Sequence, residues 1–554
     1  MDYSKVITLA KRRGILWPSY DIYQGVRGFY DYGPLGALLK HNIEKVWRDY
    51  YIIGEGFAEI ECPNIAPEIV FKASGHLEKF QDILVECKSC GESFRADHLL
   101  ADDNMDIDGI RRAIKERDIR CLECGGELSE PKGFNLMFKT QIGARSDKVG
   151  YLRPETAQGM FLNFALLYRY FREKLPFGVV QIGRGFRNEI SPRQGLIRVR
   201  ELNMAEAEVF VNPKEKTHPR FNELKDENLT LVPQDGIERR MSASDAVEKR
   251  IINNECLAYY IALTKKFLID VGVDEGKLRF RQHLQREMAH YAEDCWDAEA
   301  LLYLGEREGE WIELVGIADR TCYDLERHQR FSGEDLTAFI QYDEPKDVEK
   351  EIVEAKMNII GKEFKKDAMK VKSALEALSP EEIRDKDSIT LKIDDAQVSV
   401  SKDAWKIVKV REKVHGEKIF PHVIEPSYGI DRIFYTVLEH SYFERDGYTI
   451  LKLSPRIAPI KVGVFPLMAK DGLDEKAKEI NNILRTQGIM TYYDESGSIG
   501  RRYARMDEIG TPYCVTIDYD TLKDGTVTIR DRDTTEQERV SIEELDFRLK
   551  RLVE

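Results

Sequence analysis

The chain has 554 residues, of which 42% are apolar and 33% charged. That composition supports several domains with ample cores and excludes a disordered, collagen-like or channel-forming chain, since no apolar run approaches the roughly 18 residues of a membrane span. A net charge of −14 argues against a general nucleic-acid coat protein but leaves room for a local basic groove. The opening Met-Asp-Tyr-Ser-Lys lacks the features of a secretory signal, so a cytoplasmic location is expected.

Residues 35–53 predict a helix, with Leu35, Leu38, Leu39, Ile43, Val46, Trp47 and Tyr50 on one broad face. Gly54 and Gly56 stop it, and a short strand follows as far as Pro63. Nine cysteines are too few for a disulfide scaffold. Four of them form two close pairs, Cys87/Cys90 and Cys121/Cys124, with Gly91 and Gly125 directly after each. This is the spacing of a structural four-thiolate Zn²⁺ site with no open position for catalysis; a redox arrangement is the alternative.

Residues 155–174 predict a second amphipathic helix, and 177–189 with 196–211 a strand pair joined by a loop at 190–195. Period two sorts the pair into faces. Val180, Ile182 and Phe186 share one face of the first strand, and Gln181, Gly183, Gly185, Arg187 and Glu189 the other. On the second strand Ile197, Val199, Ala205, Ala207 and Val209 oppose Arg198, Arg200, Glu206 and Glu208. The bare glycines leave room for a ligand against the sheet. A solvated face with cross-strand ion pairs is the alternative.

Residues 213–275 are polar, then helical from about 246 to 270, and 343–390 read as a Lys/Glu-rich insertion. From about 458 the pattern becomes strand (460–467), helix, strand (489–494), helix, strand (512–519). That alternation predicts an α/β domain with a largely parallel sheet, bounded by Pro455 and Pro459.

Three stretches carry a resemblance. FRNEISPRQGLIRVRELNMAEAE resembles motif 2 of a class II aminoacyl-tRNA synthetase. The 35–53 helix with GFAEIECP resembles motif 1, and IEPSYGIDRIFYTVLEH (424–440) resembles motif 3. YDYGPLG (31–37), FRADHLL (94–100), LRPETAQG (152–159), RQHLQREMAHYAEDCWDAEA (281–300) and SGSIGRRYARMDEIGTP (496–512) are similar to the homodimeric glycyl-tRNA synthetases of archaea and eukaryotes.

The resemblance implies an α+β fold. A class II antiparallel sheet flanked by helices would carry a zinc-ribbon-like insertion and a C-terminal α/β anticodon-binding domain. Its parts would be core segments 1–85 (motif 1), 136–212 (motif 2), 276–330 and 416–457 (motif 3). Insertions would fill 86–135 (zinc), 213–275 (helical) and 331–415 (Lys/Glu-rich), with the anticodon-binding domain at 458–554.

The implied reaction is ATP-dependent ligation of glycine to tRNA(Gly) through a glycyl-adenylate, releasing pyrophosphate and AMP. The implied ATP site comprises Arg187, Asn188, Glu189, Ile197, Arg198, Arg200, Leu202, Glu313, Leu314, Gly429 and Arg432, with Arg187 and Arg432 catalytic. Glycine would be held by Arg95, Glu155, Leu202, Glu206, Glu425, Ser427 and Gly429. Mg²⁺ would accompany ATP near Glu313, and Arg320 lies on the same segment. Partners would be tRNA(Gly) and a second copy of the chain, and no membrane. Leu202 stands where the family usually stacks Phe on adenine, which predicts slightly weaker ATP binding. GSIGRRYAR (497–505), with Arg530 and Arg532, is the candidate RNA contact of the last domain; a solvated helix face is the alternative. A sister enzyme for threonine, proline or histidine, and a non-catalytic relative, are the competing readings.

Overall fold

The computed structural model describes the chain except residues 1–2, 101–104, 145–146, 193, 286, 288–291, 306–308, 395 and 554, and the side chains of residues 97 and 98. The motif stretches 94–100 and 281–300 therefore lie partly outside the described residues. The chain forms two compact units, Met1–Leu336 with Phe420–Glu554, and Thr337–Ile419.

The first unit is built on a nine-stranded sheet. Its strands are β1 (Ala58–Glu59), β2 (Phe177–Phe186), β3 (Glu201–Val211), β4 (Asn228–Val232), β5 (Arg239–Ser242), β6 (Leu278–Gln282), β7 (Asp294–Leu302), β8 (Glu310–Thr321) and β9 (His422–Gly429). Their order is β5-β4-β6-β7-β8-β9-β3-β2-β1. The neighbours run antiparallel except β1 with β2 and β4 with β6.

One face of this sheet packs on helices α1 (Pro34–Arg48), α4 (Glu255–Asp270) and α6 (Ile430–Ser441). Pro34 opens α1 where its missing N–H costs nothing. The helix buries Leu39, Ile43, Val46 and Trp47, then passes into a π-helical turn over Asp49–Gly54. That turn buries Tyr51, whose hydroxyl lies 2.8 Å from the Tyr428 hydroxyl on β9. Asn254 caps α4 by accepting from the Leu257 N–H, and Thr264 reaches the same Tyr428 hydroxyl. Ala205, Ala207 and Val209 of β3 enter this core, so alternation turns Glu206 and Glu208 to the opposite face.

The predicted 155–174 helix is two helices, α2 (Ala157–Leu162) and α3 (Phe164–Tyr170). The break is at Asn163, whose side chain donates to the Gly159 carbonyl and competes with the helical ladder. Phe161 and Phe164 nevertheless stay buried against Phe210. The predicted strand pair is also shorter. Between β2 and β3 the chain is irregular, with a 3₁₀ turn at Gly195–Ile197 where Gly195 has φ +57°. Arg198 and Arg200 therefore sit on a loop and not on the strand that carries Glu206 and Glu208.

The C-terminal part of this unit has strands β10 (Val462–Pro466), β11 (Thr491–Tyr493), β12 (Tyr513–Ile517), β13 (Thr526–Asp531) and β14 (Gln537–Ser541), in the order β11-β10-β12-β13-β14. The first three are parallel, and β13 and β14 are added antiparallel. The sheet is thus mixed, not largely parallel, because short connections after β12 and β13 permit only antiparallel pairing. Helices α7 (Leu473–Thr486) and α8 (Ile499–Glu508) belong to the same part.

The expected basic strip is largely internal. Arg502 is 2% exposed and bonded to the Gly497 carbonyl. Arg530 pairs with Asp507 through two bonds of 2.9 and 3.0 Å. Arg532 donates to the carbonyls of Gly510 and Leu453. These arginines satisfy buried acceptors and hold the domain together, while Arg501 is exposed.

The second unit is a long ribbon of Ala338–Ala355 with Trp405–Ile419, a hairpin of Ser388–Ile393 with Ala396–Ser401, and the helices Met357–Phe364, Ala368–Glu376 and Pro380–Ile383. Its own core includes Val371, Leu375, Val400 and Trp405. Among the described residues of both units, no helix is long and apolar enough to cross a membrane.

A Cβ on Gly36 would fall 1.8 Å from the Ile15 carbonyl oxygen. Backbone cannot yield as a side-chain end can, so Gly36→Ala should lower stability by about 3 kcal/mol. Thermal unfolding of the two proteins checks this.

Candidate active site

Strand register lines up one row of residues across the sheet. Gln181 on β2 faces Glu206 on β3, which faces Ser427 on β9. Ser427 faces Gly316 on β8, Gly316 faces Asp297 on β7, and Asp297 faces Arg281 on β6. Gly316 leaves the middle of the row without a side chain.

Acid gathers at one end. Glu206 is 2% exposed and accepts from the Thr156 N–H (2.6 Å), the Thr156 hydroxyl (2.5 Å) and the Ser427 hydroxyl (2.7 Å). Glu425 accepts from Arg320 at 2.7 Å. Arg320 also donates to Asp324, in the first turn of α5 (Tyr323–Ser332). Gln158 on α2 donates to both Glu155 (2.9 Å) and Asp324 (3.0 Å). Two carboxylates can only accept, which fixes which way the amide points and sets its oxygen 2.8 Å from His328 Nε2. His76 lies 3.4 Å from Glu155. Five segments far apart in sequence thus close one acidic pit.

The charges in the pit are not equivalent. Burial opposes ionisation of Glu155, but His76 and Arg320 outweigh it and hold Glu155 well below the ordinary range. Burial pushes Glu425 up to about 7, with Arg320 opposing and Glu206 and Glu155 adding.

Cations gather at the other end. Arg432 of α6 donates to the carbonyl and carboxylate of Glu313, at 2.8 and 2.9 Å, and to the Ile197 carbonyl. Burial opposes ionisation of Glu313, yet Arg432 and then Arg187 bring it below its ordinary value. Arg187 donates to the Pro154 carbonyl, and its guanidinium lies over Phe80. Asn188 bonds through its N–H to the Leu136 carbonyl. Glu189 Oε2 is buried without a hydrogen-bond partner among the described residues, with Arg198 3.8 Å from it. A buried, unmatched acceptor suits an incoming amino group. Arg200 points its donors at the carbonyls of Glu189 and Arg27, so it shapes the loop.

Three further expected residues are Leu202, Gly429 and Arg95. Leu202 faces Gly185 across the hairpin and packs against the main core. Gly429 sits against the Leu314 carbonyl, where a Cβ would stand 3.4 Å from the oxygen. Arg95 lies 3.3 Å from Asp82 and lines a cavity with Phe94, Leu122, Ile190 and Arg198, on the cationic side of the cleft. Sequence reasoning missed Asp297, which burial and then Glu313 push up to about 6. It also missed Thr156, Gln158, Asp324 and His328; only their place within RPETAQG and after Arg320 marked them.

The four paired cysteines converge. Cys87 and Cys124 sulfurs are 3.5 Å apart, Cys90 and Cys121 sulfurs 3.7 Å, and all four lie within 4.8 Å of one another. Tetrahedral Zn–S bonds of about 2.3 Å would separate sulfurs by about 3.8 Å. Backbone N–H groups of Ser89, Cys90 and Glu123 point at the sulfurs, and Gly91 (φ +74°) and Gly125 (φ +70°) make the turns. The strand Ser93–Arg95 leaves this cluster and pairs with Gln81–Glu86, which places Arg95 opposite Leu84.

Comparison with known proteins matches this architecture. The tRNA synthetase class II core domain (G, H, P, S and T) matches residues 138–299, and an anticodon binding domain matches 461–552. Glycine–tRNA ligase of Methanothrix thermoacetophila is 53% identical, covering 97% of this chain and 95% of its own. That of Methanocaldococcus jannaschii is 51% identical, covering 100% and 99%. The chain belongs to the glycine–tRNA ligase family. A solved structure, Giardia lamblia prolyl-tRNA synthetase in complex with prolyl-adenylate, shares the fold at 15% identity with a TM-score of 0.53, covering 98% of this chain and 74% of that one.

Glu425 gives the family's pit a pH signature. Its proton is held up to about 7 in the folded state, against an ordinary 4.5. The folded state therefore binds more protons than the unfolded between those values, and this group's contribution to stability falls as pH rises from 4.5 to 7. Denaturation measured across that interval should show a shallower pH dependence in Glu425→Gln than in the wild type.

Proposed function

We propose that ligation of glycine to tRNA(Gly), through a glycyl-adenylate formed with ATP, runs in this cleft with its two ends divided by charge. The carrying observation is the acidic pit closed by Arg320 beside the Arg187–Arg432 cluster. The ammonium of glycine would enter between Glu155, Glu206, Glu425 and Ser427. Its carboxylate would then point along the row toward the arginines and attack the α-phosphorus of ATP. Arg187 would hold the α-phosphate and the incoming carboxylate together through its forked donors. Arg432 would hold the far end of the triphosphate, and Glu189 Oε2 would receive the adenine amine. The chemistry needs positioning and neutralisation more than proton transfer, so fixed guanidinium groups serve it well.

A side chain on the substrate would have to lie against Glu425 and Arg320, which bond each other, and Gln158, which shares Asp324 with Arg320. Glycine has none to place there, and a pocket that excludes larger amino acids sterically needs no editing step.

Glu313 and Asp297 offer the hard carboxylate oxygens that Mg²⁺ takes, and their mutual repulsion fits a cation between them. Mg²⁺ there would neutralise phosphate charge. The four cysteines would hold a structural Zn²⁺ that steadies the strand carrying Arg95. A homodimer with α1 at its interface and a cytoplasmic site of action complete this reading.

The test is amino-acid-dependent exchange of pyrophosphate into ATP, with glycine, alanine, serine, threonine and proline offered in turn. Glycine alone should support exchange. Exchange with another amino acid instead would move the chain to a sister specificity, and none at all would make it a non-catalytic relative. Glu155→Ala should abolish glycine-dependent exchange, and Arg432→Ala should lower kcat/KM for ATP about a hundredfold. Metal analysis should find one zinc per chain, lost on Cys121→Ser together with protease resistance of residues 81–135.

A further inference from the structure

Beneath the pit lies a carboxyl group that the roles above do not use. Glu208 follows Glu206 by two residues on β3, so it sits on the same face, one position deeper. It is 0% exposed. No donor reaches either of its oxygens among the described residues. The register of β3 with β9, which pairs Glu206 with Ser427 and Val209 with Ile424, sets it opposite another acceptor, the Glu425 carboxyl, and two carboxyls can bond only when one carries a proton.

The surrounding charges leave little choice about where that proton sits. Glu206, Glu155 and Asp324 are acidic, and each has hydrogen-bond donors of its own. Arg320 donates to Glu425 and Asp324, Arg153 donates to the Arg184 and Cys62 carbonyls, and His76 faces Glu155. An ionised Glu208 would be a buried anion with no donor, which costs far more than keeping it neutral.

We propose that Glu208 is a positioning residue of the glycine pocket, a permanently neutral carboxylic acid that donates its proton to Glu425 and so holds that carboxylate ready for an ammonium group. The inference rests on the reading of the pit as a glycine site. Burial first, and then Glu425, push Glu208 well above the ordinary carboxyl range, in agreement with this geometry. Glu425 itself titrates near 7. Below that pH, entry of the substrate ammonium would release the Glu425 proton to solvent, while Glu208 keeps its own at any pH. The substrate touches Glu425, and Glu208 acts through it.

Two variants separate this role from simple packing. In Glu208→Gln the amide N–H replaces the acid O–H, so KM for glycine should stay within about twofold of wild type. The acid limb of the pH profile of kcat/KM for glycine should stay near 7. In Glu208→Leu, Glu425 loses its donor, KM for glycine should rise about tenfold with KM for ATP unchanged, and the limb should move to higher pH. Equal losses in Glu208→Gln and Glu208→Leu would overturn the proposal, because they would show that a charge is needed. So would no effect in either.

A third readout needs no activity and covers a Glu208→Leu that does not fold. The infrared carbonyl band of a protonated carboxylic acid should persist in the wild type above the Glu425 titration and be missing from Glu208→Gln. Its absence from the wild type refutes the proposal. If glycine supports no exchange in the wild type, the reading of the site fails, while the infrared band still decides the state of Glu208.

Discussion

The Arg320 guanidinium, 3% exposed and shared between Asp324 and Glu425, is the charge around which an acidic cavity can fold. Carboxylates packed this closely repel one another and lose their water. A planar fork with several donors can answer two of them at once. Because Arg320 lies at the end of β8, Asp324 on α5 and Glu425 on β9, pairing them also fixes how that helix meets the sheet. Gln158 extends the arrangement to α2 by bonding Glu155 and Asp324 with one amide nitrogen.

The same sheet carries the opposite charge a few residues away. Arg187 and Arg432 stand around Glu313 while Asp324 and Glu425 stand around Arg320, so each cluster has a counter-ion of the minority sign. In the proposed function that arrangement would orient a zwitterion before any bond forms. Its ammonium end and its carboxylate end see different potentials along one row of the sheet.

Sequence marked candidate residues where chemistry and chain order coincide. The motif glutamates and arginines are local in sequence, and so are the cysteine knuckles with their glycines. Contacts between distant segments were hidden. Gln158 and His328 are 170 residues apart, and nothing in either neighbourhood announces the other. Alternation along β3 placed Glu206 and Glu208 on one face but could not say that helices bury it. Periodicity read through Asn163 because an asparagine that turns back on its own helix looks like any polar position. Arg502, Arg530 and Arg532 looked like an RNA-facing strip because charge alone does not distinguish a solvated arginine from one that feeds buried carbonyls.

The insertion Thr337–Ile419 begins and ends on partners in one ribbon, with Ala338 opposite Ile419. Entry and exit therefore lie side by side, and the polypeptide returns to where it left. For the chain on either side this module has the topology of a hairpin loop, whatever its length. The ordering cost of closing a loop grows only with the logarithm of its size, so residues can be gained or lost there with little strain on the strands that flank it. A Lys/Glu-rich stretch of such different composition can thus drift in sequence while the catalytic sheet stays fixed, and inheritance of the two need not be linked.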